Sequence, residues 1–427
     1  MLNRINAPSL QEIQHVQLKA PQEITFQNGL KVFVFNAPDQ GLIKAEFVFN
    51  NLFDTPENPI RNTALSSMLK EGTSKLTSAQ IADQVDYYGA YLVPEVSFDQ
   101  NALTLYSLSK HIDVVLPILH QVLVDATMPQ QELQTYIRSH SQSLQISLEK
   151  TEFNARRMLY HELFGDSRYG LSVTEKLLQN LNAEDLYRLY EQQIQPQNAT
   201  LFLSGNITAE TLGLFQQYFE NQWQAREEIV LNKPDFKTSS KSDLIYVEKP
   251  AALQSSIRLG SLAIQRNNPD YPALQFVNTL LGGYFGSRLM SNIREEKGYT
   301  YSIGSAVANL KYSGFMTIAT DVGAEHTQDT LNQIKLEMTR LQQEKVGQIE
   351  IELVRNYMLG AMLGSLESVF SHVDKFKAIY FSGITLDYYA YYTEVLKEMD
   401  AVKIQEISQT YFNYDNMIKI VVGKMEK

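Results

Sequence analysis

Arg294 and Tyr301 are the residues of this chain best suited, by type and spacing, to act on a polar substrate. A guanidinium donates charged hydrogen bonds in a planar fork, and a phenol adds a neutral donor. Together they suit a peptide carbonyl, a carboxylate, or the oxyanion that forms when a carbonyl is attacked. They lie seven residues apart in LLGGYFGSRLMSNIREEKGYTYSIGS, Leu280 to Ser305. The spacing predicts a helix through this stretch that ends at Gly298, a residue fitted to the left-handed position after a helix. Arg294 and Lys297 then fall in the last turn, where cations suit the helix dipole. YTYSIGSAV alternates as a following strand, able to pair with GFMTIATDV, with Tyr299, Tyr301 and Ile303 on one face. Both side chains are expected to reach one cleft across this turn. Helix-end arginines are routine, however, and the chain has 24 tyrosines, so spacing alone does not make the pair a site.

Gly282, Gly283 and Gly286 in the same stretch raise the question of a phosphate-binding loop. Such a loop needs a terminal Lys-Ser/Thr pair or a strand immediately before it. Neither is present, because PALQFVNTLL has helical spacing. The glycines are therefore expected to join two helices through a tight bend, with Ser287 as N-cap.

The chain has 427 residues, long enough for two domains. Its formal charge of −11 argues against nucleic acid or anionic membrane as a general partner. No apolar run approaches the length of a membrane span. The stretch MLNRINAPSLQEIQHVQLKAPQ lacks the apolar core and small-residue site of a secretory signal, so a cytoplasmic location is expected. The absence of cysteine excludes disulfides and thiolate metal sites.

Read along its length, the chain repeats itself. ITFQNGLKVFVFNAP reads as a hairpin across Asn-Gly, followed by a strand LIKAEFVFNN, helices, two more strands, long helices, and the strand NATLFLSGNI. The second half replays the order, with Pro250, Tyr411 and Gly423 standing for Pro38, Tyr190 and Gly205. The expected fold is α+β, with two homologous domains that each pack a mixed or antiparallel sheet against helices. Residues 1–224 form the first domain, the polar stretch 225–243 the linker, and 244–427 the second domain.

These stretches resemble the insulinase/pitrilysin peptidases, the group that includes mitochondrial processing peptidase. The resemblance spans nearly the whole chain: LKVFVFNAP, ELFGDSRYGLSVTEKLLQNLNAEDLYRLYEQQIQPQNATLFLSGNIT, the glycine stretch, and ELVRNYMLGAMLGSLESVFSHVD. It implies half of a clamshell of the LuxS/processing-peptidase type, built from two homologous halves. It also implies roles in substrate binding and transition-state stabilisation for Arg294 and Tyr301. The family's defining feature is a His-x-x-Glu-His helix that binds zinc and activates water. Here that place reads TALSSMLKEGT, with Thr63, Ser66 and Ser67 where the ligands and base belong. Neutral hydroxyls are poor zinc ligands, and serine is no carboxylate base. The distal acidic ligand is missing as well, since Leu133 to Leu148 contains no acidic residue. His15, His111, His120, His140, His161, His326 and His372 offer no short ligand spacing.

The resemblance therefore implies a zinc-less subunit with no cofactor of its own, inactive alone. Its partner would be a homologous zinc-bearing chain, and the two would close around an extended or unfolded peptide. Arg294 and Tyr301 would act in trans. Without that partner, two copies of this chain could pair. The alternative is a structural or peptide-binding scaffold without proteolytic role, as in the core subunits of a respiratory complex.

Overall fold

The computed structural model describes residues 16–53, 57–225 and 244–424. Of the stretch read as a linker, all but Ala225 lies outside these residues. The first half runs β1 (Gln22–Thr25), β2 (Lys31–Asn36), β3 (Leu42–Asn50), α1 (Asn58–Met68), α2 (Ser78–Tyr87), β4 (Tyr91–Val96) and β5 (Gln100–Leu108). It continues through α3 (Ile112–Val124), α4 (Gln130–Leu148), α5 (Thr151–Phe164), α6 (Glu175–Gln179), α7 (Ala183–Gln193), β6 (Ala199–Gly205) and α8 (Ala209–Phe219).

The second half opens with β7 (Leu244–Glu248), β8 (Gln254–Ala263), α9 (Tyr271–Asn278), β9 (Ile303–Asn309) and β10 (Gly314–Gly323). It closes with α10 (Thr327–Gln343), α11 (Gln348–Gly364), α12 (Val369–Tyr380), α13 (Tyr388–Glu398), α14 (Ala401–Tyr411) and β11 (Ile418–Gly423). Several helices begin where the sequence supplies a cap. Thr77 and Gln80 satisfy each other's backbone N–H groups at α2, and Asn182, Thr208, Ser368 and Asp400 accept first-turn N–H groups at α7, α8, α12 and α14.

The duplication is written in the strand order. The first sheet runs β1-β2-β6-β3-β5-β4 and the second β7-β11-β8-β10-β9, so setting β1 aside gives one order twice. In each sheet a single pair is parallel, β2 with β6 and β7 with β11. The equivalent strands β6 and β11 both end on a glycine held at positive φ, 111° at Gly205 and 153° at Gly423. A Cβ at Gly205 would lie 1.9 Å from the Leu42 carbonyl oxygen, and one at Gly423 would lie 2.5 Å from Ser255 Cα. Only glycine allows the neighbouring strand so close.

Both faces of each sheet are buried. KVFVFN alternates: Val32 and Val34 face a core shared with Ala64 and Leu65 of α1, Leu116 and Leu119 of α3 and Phe215 of α8. Phe33 and Phe35 face the other way, with Val48, Ala102 and Phe202, onto Val373, Phe376 and Ile379 of α12 from the second half. That arrangement explains a strand apolar at successive positions. The exchange is mutual. Ala155, Leu159 and Leu163 of α5, from the first half, pack on Ile418, Ile420 and Val422 of β11. Gly260 of β8 leaves them room, since a Cβ there would lie 3.0 Å from Leu159 Cδ1.

The ring of Phe376 meets Phe33 at 4.9 Å and Phe35 at 5.5 Å, both near edge-to-face, a geometry worth about 0.5–1.5 kcal/mol per pair beyond burial. The seam also holds charge. Lys377 of α12 donates to Glu46 Oε1 on β3, while Lys44 lies 3.2 Å from Glu46 and 3.4 Å from Asp374. Burial alone would lower the Lys44 pKa, but the carboxylates of Glu46 and Asp374 outweigh it and hold the ammonium above its ordinary value.

The chain's single tryptophan, Trp223, is buried in the first half against Phe47, Phe49 and Phe219, so its fluorescence reports that half alone. Phe376→Ala, a change in the second half, is expected to cost the Trp223-monitored denaturant transition about 3–5 kcal/mol. An unshifted midpoint would show that the first sheet does not rely on α12.

Candidate functional site

The stretch expected to correspond to the zinc motif lies on α1, whose first turn carries Pro59. Its three hydroxyls are already committed. Thr63 Oγ1 donates to the Pro59 carbonyl at 3.0 Å, and Ser67 Oγ donates to the Thr63 carbonyl at 3.4 Å. Ser66 Oγ donates across to the Glu95 carbonyl on β4 at 3.2 Å. Beside Thr63 lies a cavity of about 430 Å³ with Phe53, Asn62, Phe98 and Arg168 in its wall. The Arg168 guanidinium stacks 3.4 Å from the centre of the Phe53 ring and pairs with Asp99 at 3.3 Å. Tyr169 Oη donates to the same carboxylate at 2.9 Å. Burial lowers the Arg168 pKa, and Asp99 counters part of that shift.

Among the described residues no three His, Cys, Asp or Glu side chains are grouped to hold a metal. The histidines are dispersed. His140 stacks on Tyr136 at 3.8 Å, and His326 lies parallel to Tyr299 at 4.0 Å. His120 sits against Tyr218 and Phe219 with its pKa lowered by burial. His372 Nδ1 accepts from the Lys19 N–H. His15 lies outside the described residues.

The glycine stretch is taken up by packing against β9. After α9 the chain winds as a π-helical turn, Thr279–Gly283, and Gly282 presses against β9. A Cβ at Gly282 would lie 2.7 Å from both the amide nitrogen and Oγ of Ser305. Asn278 Nδ2 donates to the Ser305 carbonyl and Ser305 Oγ donates to the Asn278 carbonyl, each at 3.2 Å. The expected helix is a second π-helical segment, Met290–Glu296, and Gly298 takes the expected left-handed conformation at φ 68°. The expected cap bond at Ser287 does not form: its Oγ is buried without a hydrogen-bond partner.

The Arg294 guanidinium stacks 4.6 Å from the Phe285 ring. Tyr301 is 91% exposed and, among the described residues, makes no hydrogen bond. Its strand was expected from Tyr299, yet β9 begins at Ile303. The intervening residues form a turn tied by Thr300 Oγ1, which donates to the Asp321 carbonyl at 2.8 Å. Tyr299 turns inward and donates to Asp329 at 3.0 Å, Ile303 is buried, and Tyr301 faces solvent. The three do not share one face, and this chain closes no cleft around Tyr301. Arg168, which lines the cavity beside Thr63, and its partner Asp99 carried no motif. ELFGDSRYG supported the family resemblance without marking its arginine, and Asp99 is distant in sequence.

Residues 180–358 match the peptidase M16 inactive domain. The chain is 23% identical to a Bacillus subtilis protein named uncharacterized zinc protease YmxG, over 90% of this chain and 93% of that one. A crystal structure described as the peptidase M16 inactive domain from Pseudomonas fluorescens superposes with a TM-score of 0.85 at 21% identity, covering 95% of this chain and 98% of that chain. The chain is similar to the peptidase M16 inactive domain over residues 180–358 and shares the fold of that Pseudomonas fluorescens structure over nearly its whole length. The similarity is to the inactive type, and α1, which lies outside the matched residues, carries hydroxyls where the sequence resemblance implies zinc ligands. The same fold occurs within the Escherichia coli periplasmic protease PqqL, where 99% of this chain lies on 48% of that chain, with a TM-score of 0.78 and 14% identity. No described helix is long and apolar enough to cross a membrane.

Arg168→Ala would leave Asp99 buried without its cation, an expected loss of about 3–5 kcal/mol in denaturant titrations. Metal analysis of the purified wild-type chain is expected to show far less than one zinc per chain after equilibration with zinc. Stoichiometric zinc would overturn the reading of the Thr63, Ser66 and Ser67 positions.

Proposed function

We propose that this chain is the non-zinc-binding subunit of an M16 peptidase and contributes Arg294 and Tyr301 to a zinc-bearing homologous partner. The observation that carries the reading is a pair of opposites within one chain. Where the resemblance implies zinc ligands, the hydroxyls of Thr63, Ser66 and Ser67 are spent on backbone carbonyls, whereas Tyr301 offers a free phenol to solvent. A donor of this kind serves no reaction in its own chain and is available to one assembled across an interface.

In the assembled chamber Arg294 holds a carbonyl or carboxylate of an extended peptide, and Tyr301 Oη donates to the oxyanion of the tetrahedral intermediate. The partner supplies the metal and the activated water. That this chain occupies about half of a longer protease of the same fold supports a chamber made of two such units. The reading places the pair in the cytoplasm.

The test is reconstitution with a zinc-bearing homologue and a fluorogenic unfolded peptide. The chain alone is expected to be inactive and the mixture active. Tyr301→Phe should lower kcat of the mixture by about 100–1,000-fold, the usual cost of one oxyanion donor, and Arg294→Ala should lower kcat/KM. Full activity in both variants would instead favour a scaffold or peptide-binding subunit without proteolytic role.

A further inference from the structure

A second cavity, about 790 Å³, opens along the seam between the halves. One wall is first-half strand, with Glu46 on β3 and Glu95 at the end of β4. The other is second-half, with Arg266 after β8, Lys311 in the β9–β10 turn, and Asp374 and Lys377 on α12. Its volume falls in the range of small-molecule sites, roughly 300–1,000 Å³, and neither Arg294 nor Tyr301 lines it.

The charges of the lining divide into two groups. Glu46 and Lys377 pair, and Lys44 behind them bridges Glu46 and Asp374. Asp99 is taken by Arg168 and Tyr169. These groups neutralise one another and hold the seam. Three others make no ion pair among the described residues, although Asp99, which accepts from the Lys311 backbone N–H, attracts the Lys311 ammonium from farther off. Arg266 gives one guanidinium hydrogen bond, from Nη1 to the Ala378 carbonyl at 2.8 Å. Lys311 gives one, from Nζ to Asn50 Oδ1 at 2.8 Å. Glu95 is exposed, and its carboxylate has no hydrogen bond or ion pair among the described residues.

Arg266 without an ion pair, and Lys311 with only the longer-range pull of an Asp99 already paired with Arg168, are unfavourable in a partly enclosed site unless something neutralises them. Burial pulls the Lys311 ammonium below its ordinary range. Glu46, only 2% exposed, also keeps Oε2 in the cavity wall without a hydrogen bond, 3.2 Å from Lys44 Nζ. A ligand carboxylate would satisfy the cations, while a ligand ammonium would meet Glu95.

We propose that this seam cavity is a binding site for a short zwitterionic peptide, its free carboxylate held by Arg266 and Lys311 and its ammonium directed to Glu95. Because both halves supply these groups, an occupied site cross-links them. The inference does not depend on the role of Arg294 and Tyr301 or on a partner chain.

Calorimetric titration of the full chain tests it, with trialanine as the probe beside its C-terminal amide, its N-acetyl form and inorganic phosphate. Trialanine is expected to bind with a Kd of about 1 mM or tighter, and the amide at least ~10-fold more weakly. Acetylation should weaken binding through loss of the Glu95 contact. Arg266→Gln should abolish the preference for acid over amide, and Glu95→Gln should abolish the preference for free amine over acetyl. Should Arg266→Gln fail to fold, as judged by circular dichroism, Lys311→Met makes the same test without the bond to Ala378. Three results would overturn the proposal: no trialanine binding at about 10 mM, equal binding of acid and amide, or phosphate binding that outcompetes trialanine.

Discussion

Each sheet in this chain has two apolar faces, and neither half carries enough helix to cover both. Everything else follows from how that shortage is met. α12 leaves the second half to lie on Phe33, Phe35 and Phe202, and α5 leaves the first to lie on Ile418, Ile420 and Val422. An uncovered aromatic sheet face in water is costly, of the order of 25 cal/mol for each Å² of apolar surface, so the exchange is a requirement of burial. It brings the β9–β10 turn and α12 against the β4–β5 hairpin, and so creates the charged seam cavity. In that sense the position of the seam cavity is a by-product of covering two sheets.

The strands were legible because their signals are local. Asn-Gly set the first hairpin, and alternation in LIKAEFVFNN and the two strands after Ala90 gave β3, β4 and β5. Gly205 and Gly423 could be matched by eye and prove to hold the same strained place in the two sheets. The helix exchange was not legible, because α5 and α12 look amphipathic whichever sheet they cover. The run KVFVFN did carry a hint, since a strand with only one buried face would not spend phenylalanine on the other.

The candidate site was partly legible for similar reasons. Loss of ligands at Thr63, Ser66 and Ser67 is a matter of residue type and is visible in any sequence. The environment of Tyr301 is a matter of where a strand begins. Period-2 spacing assigned Tyr299, Tyr301 and Ile303 to one face, but Thr300 anchors a turn through tertiary bonds to Asp321 and Thr320, and the strand starts late. The two π-helical segments escaped as well. Their spacing passes for α-helix, and only the close approach of Gly282 to Ser305 shows why the backbone is locally widened. Arg168 escaped because its meaning lies in Phe53 and Asp99, which the fold alone brings to it.

The exchange of α5 and α12 also changes what the covalent link between the halves is for. Each half supplies a layer the other lacks, so the fit between them is encoded in the packed surfaces and not in the backbone that joins them. A chain broken between Ala225 and Leu244 would keep the contacts of α5 with β11 and of α12 with β2 and β6. The connection contributes effective concentration: it makes a bimolecular assembly unimolecular and guarantees one copy of each half. Two separate polypeptides bearing these surfaces would form the same molecule, at the cost of having to find each other.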